Sequence, residues 1–154
     1  MFKNMRRQNK LMEEKKAKQL LEDGDYGVYC TIGENGYPYG VPLNYVYMNG
    51  SIYFHCATEG HKIDNMNYCD KTSFTVVHDY NIVGKEFDTH YESIVVYGRS
   101  EIIDGEEKRD ALIGLINKYS KDYIAKGIKY IDRAIKNTTV VKINIEHITG
   151  KHGE

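Results

Sequence analysis

Two Asn-Gly dipeptides, Asn35-Gly36 and Asn49-Gly50, constrain this chain more than any other feature. Asn-Gly tolerates positive φ at both positions and favours the tight turns that reverse antiparallel strands. Ahead of the first turn, Tyr26 to Ile32 alternates, with Val28, Cys30 and Ile32 on one face and Gly27, Tyr29 and Thr31 on the other. Between the turns, Tyr37 to Met48 reads as one long strand that holds both prolines of the chain, Pro38 and Pro42. Proline cannot donate to a ladder, so these two demand an edge, a bulge or a kink. Ser51 to Cys56 follows as a third strand. The expectation is an antiparallel meander of three strands.

The remaining elements follow from periodicity and punctuation. Residues 11–22 are expected to be a helix on Leu11, Ala17, Leu20 and Leu21, stopped by Gly24. Residues 61–69 form a short helix with Ile63 and Met66 inward, and Lys71 to His78 is a strand. Asp79 to His90 is polar and reads as a loop; Glu92 to Ile103 returns to strand. Asp104 with Glu107 has the spacing of a capping box and opens a helix that runs to Tyr119. A helical region over 122–136 and a last strand from Val140 to Ile145 precede the tail 149–154. Residues 1–10 are expected to be flexible. With 14 Tyr and no Trp, the pattern points to one α+β domain over 1–154: about six antiparallel strands with flanking helices, in a closed or split β-barrel.

Charge and cysteine usage narrow the function. With 21 basic and 22 acidic residues, no global field favours nucleic acid or anionic lipid, and neither partner is expected. No run approaches the roughly 20 apolar residues of a membrane span. Cys30, Cys56 and Cys69 are odd in number and lack paired spacing, which fits reduced thiols in a cytoplasmic setting.

The chemistry centres on Ile52 to Ile63. An apolar strand ends near His55, turns at Gly60, and becomes a helix starting with His61 and Lys62. Helix N-termini present unpaired N–H groups and a partial positive charge, so a basic helix start is a reasonable phosphate grip. Strand parity puts Ile52, Phe54 and Cys56 on one face and Tyr53, His55 and Ala57 on the other. With Phe54 in the core, His55 points at a groove or a partner. A lone histidine or a surface lysine is ordinarily just solvated, and only their proximity in sequence raises the functional reading. His55, Cys56, His61, Cys69, His78 and His90 lack paired metal-ligand spacing, and His55 and Cys56 point apart, so no metal site is expected. No GxSxG, cysteine-protease signature or GxGxxG is present.

Several stretches together carry a resemblance. These are Tyr26-Gly27-Val28, Asn35 to Tyr45, Tyr53 to Ala57, Gly60-His61-Lys62, Ser93 to Arg99, Glu107-Lys108 and Ile148 to Lys151. As a set, they resemble the flavin-binding split-barrel superfamily of pyridoxamine 5′-phosphate oxidases, and within it the branch of 5-nitroimidazole resistance proteins. The resemblance implies a homodimer with FMN at each subunit interface. Val41, Pro42, Leu43 and Asn44 would run beside the isoalloxazine ring, with His55 and Ala57 near the flavin. Lys62, with Gly60 and His61, would hold the phosphate, and Thr149 and Lys151 would close over the cofactor. Cys56 stands where relatives usually carry a small polar residue.

The implied activity is an FMN-dependent oxidoreductase that passes electrons from NADH or NADPH to a small organic acceptor, such as a nitroaromatic. His55 is the candidate proton donor, because an unperturbed imidazole titrates near the working pH. One alternative is a pyridoxine-phosphate oxidase. It ranks lower because Arg6, Arg7, Arg99, Arg109 and Arg133 are the only arginines available for a phosphate clamp. The other is a non-catalytic module that binds flavin or haem.

Overall fold

A computed structural model describes residues 1–153 of the chain. The segment between the two Asn-Gly turns is not one strand. It divides into β3 (Pro38–Leu43) and β4 (Val46–Met48), separated at Asn44–Tyr45. β3 pairs only with β2 (Gly27–Ile32), and β4 pairs only with β5 (Ser51–Cys56). The expected meander is therefore two separate hairpins. The first turn has positive φ only at Gly36; the second has it at both Asn49 and Gly50, as a two-residue hairpin turn requires.

The other elements are β1 (Leu11–Met12), α1 (Glu14–Asp23), α2 (His61–Tyr68), β6 (Lys71–Val83), β7 (Asp88–Ile103), α3 (Gly105–Tyr119), α4 (Ile124–Ala134) and β8 (Thr139–Gly153). All pairings are antiparallel, and the sheet order is β3-β2-β6-β7-β8-β5-β4, with β1 added to the far end of β8. The fold is α+β as expected, but it has eight strands rather than six, and hydrogen bonds do not close the sheet. Its two edges, β3 and β4, are consecutive in sequence, so Asn44–Tyr45 bridges the gap covalently. Pro38 and Pro42 lie on an edge strand, where their missing donors cost least.

Three further expectations change. The polar segment 79–90 is no loop, because β6 and β7 continue as a projecting hairpin whose tip is the single turn Gly84–Glu86. A bulge after His78, with Asp79 at φ 52°, breaks the side-chain alternation, and Tyr80 and Ile82 are both exposed beyond it. Alternation cannot reveal a strand with no buried face. The tail is likewise strand: β8 runs on through Thr149 and Lys151, paired with β7 on one side and β1 on the other. Leu11 and Met12 belong to β1, so the first helix begins at Glu14.

Two apolar cores result. Inside the curved sheet, Tyr29, Ile52, Phe54, Phe74, Val76, Ile94, Val96, Val141 and Ile143 pack with Ala17, Leu20 and Leu21 of α1 and with Ile63 and Met66 of α2. On the outer face of β5 and β8, Tyr53 and Val140 pack against Ala111, Leu112 and Leu115 of α3 and Ile131 of α4. β5 is thus covered on both faces. Gly127 lets α3 and α4 approach closely, since a Cβ there would come within 2.7 Å of Ile116. Among the described residues, no helix is long and apolar enough to cross a membrane.

Candidate functional site

α2 begins where β5 ends. Gly60 caps it with φ 132°, a conformation that other residues rarely adopt, and the space around Gly60 is open. The first intrahelical bond runs from Asp64 N–H to the Gly60 carbonyl at 3.0 Å. The N–H groups of His61, Lys62 and Ile63 precede it and have no intrahelical acceptor. Ile63 and Met66 anchor the helix in the core, and the buried Asn65 donates to Thr31 Oγ at 3.0 Å. α2 is therefore fixed across the end of β2 with its first turn facing outward.

The His61 ring stacks on Tyr39 of β3 with centroids 3.9 Å apart, so the basic helix start abuts the open proline-bearing edge. Lys62 is half-buried beside Cys56. Burial pushes the Cys56 thiol up, and the Lys62 ammonium partly offsets this by drawing it down. The donors present are an ammonium, an imidazole and the free N–H groups of a helix start. Together they have the chemistry of a site for a phosphate or carboxylate.

Along β3 the predicted ring bed splits by parity. Val41 and Leu43 turn inward and pack on the core, while Pro42 and Asn44 are exposed. Asn44 donates to the Asp25 carbonyl at 3.0 Å. His55 lies on the face of β5 opposite Phe54, as strand parity requires. It sits at the mouth of an apolar crevice of about 100 Å³, formed mainly by Leu112, Leu115, Ile116, Tyr130, Ile131 and Ile135. Desolvation against this crevice draws its imidazole below the usual histidine range, although the side chain itself stays exposed at the rim. Ala57 is exposed just past the end of β5.

The structure does not bring Thr149 and Lys151 to this place within one chain. His55 pairs with Val140, whereas Lys151 pairs with Ser93 and Leu11, eleven residues further along β8. At about 3.3 Å per residue, that is roughly 36 Å of strand contour. Lys151 Nζ instead lies 5.2 Å from the centroid of Tyr91.

Sequence reading missed Tyr39, and it missed Lys118 and Tyr119, which hold the Asn44–Tyr45 corner from α3. Nothing local marks Lys118 and Tyr119, because their partner Tyr45 lies 73 and 74 positions away. Asp104 makes no side-chain cap bond. Glu107 does not reach back to it; its carboxylate accepts from Tyr53 Oη at 2.9 Å and pairs with Lys142 at 2.8 Å. Two longer-range partners, one of them charged, have outcompeted the capping box.

The family model for pyridoxamine 5′-phosphate oxidase matches residues 13–152. No curated protein matches the chain. Among solved structures, one from Bacteroides thetaiotaomicron, provisionally assigned to 5-nitroimidazole antibiotic resistance, is 27% identical with a TM-score of 0.79, over 92% of this chain and 86% of that one. A conserved hypothetical protein from Mycobacterium tuberculosis is 17% identical with a TM-score of 0.83, over 97% and 90%. An FAD and haem binding protein from Mycobacterium smegmatis is 16% identical with a TM-score of 0.82, over 94% and 74%. The last two likenesses are of fold alone. The match over nearly the whole length, on the split-barrel architecture described above, means that the chain belongs to the pyridoxamine 5′-phosphate oxidase family.

Proposed function

We propose that the chain is an FMN-dependent oxidoreductase that transfers electrons from NADH or NADPH to a small organic acceptor of the nitroaromatic kind. The observation that carries this reading is the contact between the Gly60-His61-Lys62 helix start and the open β3 edge, made through the Tyr39–His61 stack. It sets a phosphate-type donor cluster beside a strand edge in a chain whose family includes flavin oxidoreductases. The donor set fits the group: a dianionic phosphate takes the Lys62 ammonium and the free N–H groups of the α2 start. The exposed edge at Val41 to Asn44 offers unpaired backbone groups to a flavin ring.

Bound FMN supplies the two-electron exchange; the protein's part is to bind, orient and control protons. Lys62, with Gly60 and His61, holds the phosphate. Pro42 and Asn44 present the ring bed, with Val41 and Leu43 fixing that strand to the core beneath. His55 and Ala57 line the approach, and the apolar crevice beside His55 suits a neutral, planar acceptor. His55 can give a proton only in its imidazolium form, which desolvation at the crevice rim disfavours and makes a stronger acid when formed. Thr149 and Lys151 lie too far along β8 to reach the same flavin as Lys62 in one chain, so the reading includes a homodimer in which the partner supplies them.

The test is cofactor identification. Purified protein should be yellow and release FMN on denaturation. Anaerobic NADH or NADPH should bleach it, and a nitroimidazole should restore the colour. A colourless preparation that ignores added FMN would sink the proposal, and a Soret band would assign the site to haem instead.

A further inference from the structure

The corner that carries β3 into β4 is held by side chains of α3 rather than by a ladder. Tyr45 is fully buried. Its N–H donates to Tyr119 Oη at 3.1 Å, and its carbonyl lies 2.9 Å from Tyr119 Oη and 3.0 Å from Lys118 Nζ. Tyr119 Oη also lies 2.7 Å from the Asp25 carbonyl. A hydroxyl has one proton, so Tyr119 cannot satisfy both carbonyls at once. Lys118 is then the donor that keeps the Tyr45 carbonyl paired, and a buried carbonyl left unpaired is costly. The same ammonium sits 3.9 Å from the Tyr45 ring centroid and 5.1 Å from that of Tyr119, so it also makes cation–π contact.

Several titratable groups face Lys118. Glu22 and Asp23 at the end of α1, and Asp25 just beyond it, favour the charged form. Burial outweighs them and pushes the amine down to about 8. Burial also pushes the phenols of Tyr45 and Tyr119 up, so both stay neutral where Lys118 titrates.

We propose that Lys118 is a positioning residue for the cofactor site: its ammonium pins the Tyr45–Val46 peptide, beside the Tyr45 N–H that Tyr119 holds, and so sets the path of Val41 to Asn44 on the β3 edge. This rests on the reading that β3 carries the flavin ring. The clamp is strongest while the amine is protonated, because the neutral amine loses the cation–π contact and donates a weaker hydrogen bond. Ring placement thereby becomes pH-sensitive at a point remote from the phosphate grip.

The experiment titrates FMN into the full-length protein stripped of flavin, for wild type, Lys118→Met and Lys118→Arg, from pH 6.5 to 9.5. At pH 7, Lys118→Met should weaken FMN binding roughly tenfold, as loss of one charged hydrogen bond implies. Lys118→Arg should retain most of the affinity. Wild-type affinity should fall as pH rises through about 8, and Lys118→Arg should not show that fall, because arginine keeps its charge. If Lys118→Met does not fold, the comparison of wild type with Lys118→Arg still decides. Identical pH profiles for those two, or a Lys118→Met that binds FMN as tightly as wild type, would overturn the proposal while leaving the flavin reading intact. A wild type that binds no FMN at all would overturn both.

Discussion

Tyr39 of β3 and His61 of α2 stack with ring centroids 3.9 Å apart and planes 31° apart. This is where a helix start anchored in the core touches a strand edge without a hydrogen-bonded neighbour. The helix start offers charge and N–H groups; the edge offers unpaired backbone. A ligand with an anionic end and a flat polar-edged ring would use both, and loosening the contact should separate the two functions.

Lys62→Met should therefore weaken FMN binding by roughly ten- to a hundredfold, the range expected for one charge-assisted hydrogen bond. Tyr39→Ala should cost less, because it disturbs the orientation of His61 but removes no charge. Fluorescence titration of the stripped protein measures both. Equal affinities for wild type and Lys62→Met would show that the phosphate does not sit at the α2 start.

The position of His55 predicts a pH profile. Desolvation at the rim of the apolar crevice lowers its pKa, so the imidazolium accumulates as pH falls below the ordinary histidine range near 6.5. If His55 delivers the proton to the acceptor, reoxidation of the reduced enzyme should accelerate as pH falls through that lowered pKa. His55→Gln should flatten the profile and slow the low-pH rate roughly a hundredfold. Stopped-flow reoxidation at fixed acceptor concentration reads both effects. A rate that ignores pH and the substitution alike would restrict His55 to lining the crevice.

What the sequence discloses here depends on range. The β2–β3 and β4–β5 hairpins, the parity of His55 against Phe54, and the anchoring of α2 by Ile63 and Met66 are local patterns, and they were legible. Placing β3 and β4 at opposite edges of the sheet was not, because a break at Asn44–Tyr45 looks no different from a proline kink within one strand. β6 beyond His78 escaped because Tyr80 and Ile82 are both exposed, so no alternation survives. The capping box at Asp104 was a sound local reading overruled by Lys142, a charge 35 positions away that no window around Glu107 contains.

That displaced glutamate has a consequence for acid stability. The hydrogen bonds from Lys142 and Tyr53 hold the Glu107 carboxyl below the usual carboxylate range. A group whose folded pKa is depressed stabilises the fold fully above its unfolded pKa and ceases to do so as pH falls through the folded value. Thermal melts should show a loss of stability on descending below about pH 4.5 that is steeper in wild type than in Glu107→Gln, which keeps the lowered carboxylates of Glu14 and Glu92. Tyr53→Phe, which removes the hydroxyl of a buried ring, should lower stability by about 1 kcal/mol at pH 7. Identical acid slopes for wild type and Glu107→Gln would mean that solvent screening cancels the pair.

The separation of Lys62 from Lys151 allows a decisive test of assembly. β8 begins beside β5, near the α2 start, and carries Lys151 eleven residues beyond Val140 to the end that pairs with β1. If one flavin uses both lysines, this separation along β8 requires the second lysine to come from a partner chain. Lys62→Met and Lys151→Met should each lose FMN affinity as homodimers. Each mixed dimer would contain one site with both lysines intact and one with both replaced. After statistical subunit exchange, half of the dimers are mixed, so about a quarter of all sites should regain tight binding. Flavin stoichiometry at a concentration between the wild-type and variant dissociation constants reads this directly. Recovery near a quarter establishes a site built from two chains; no recovery after verified exchange would assign Lys151 a role away from the flavin.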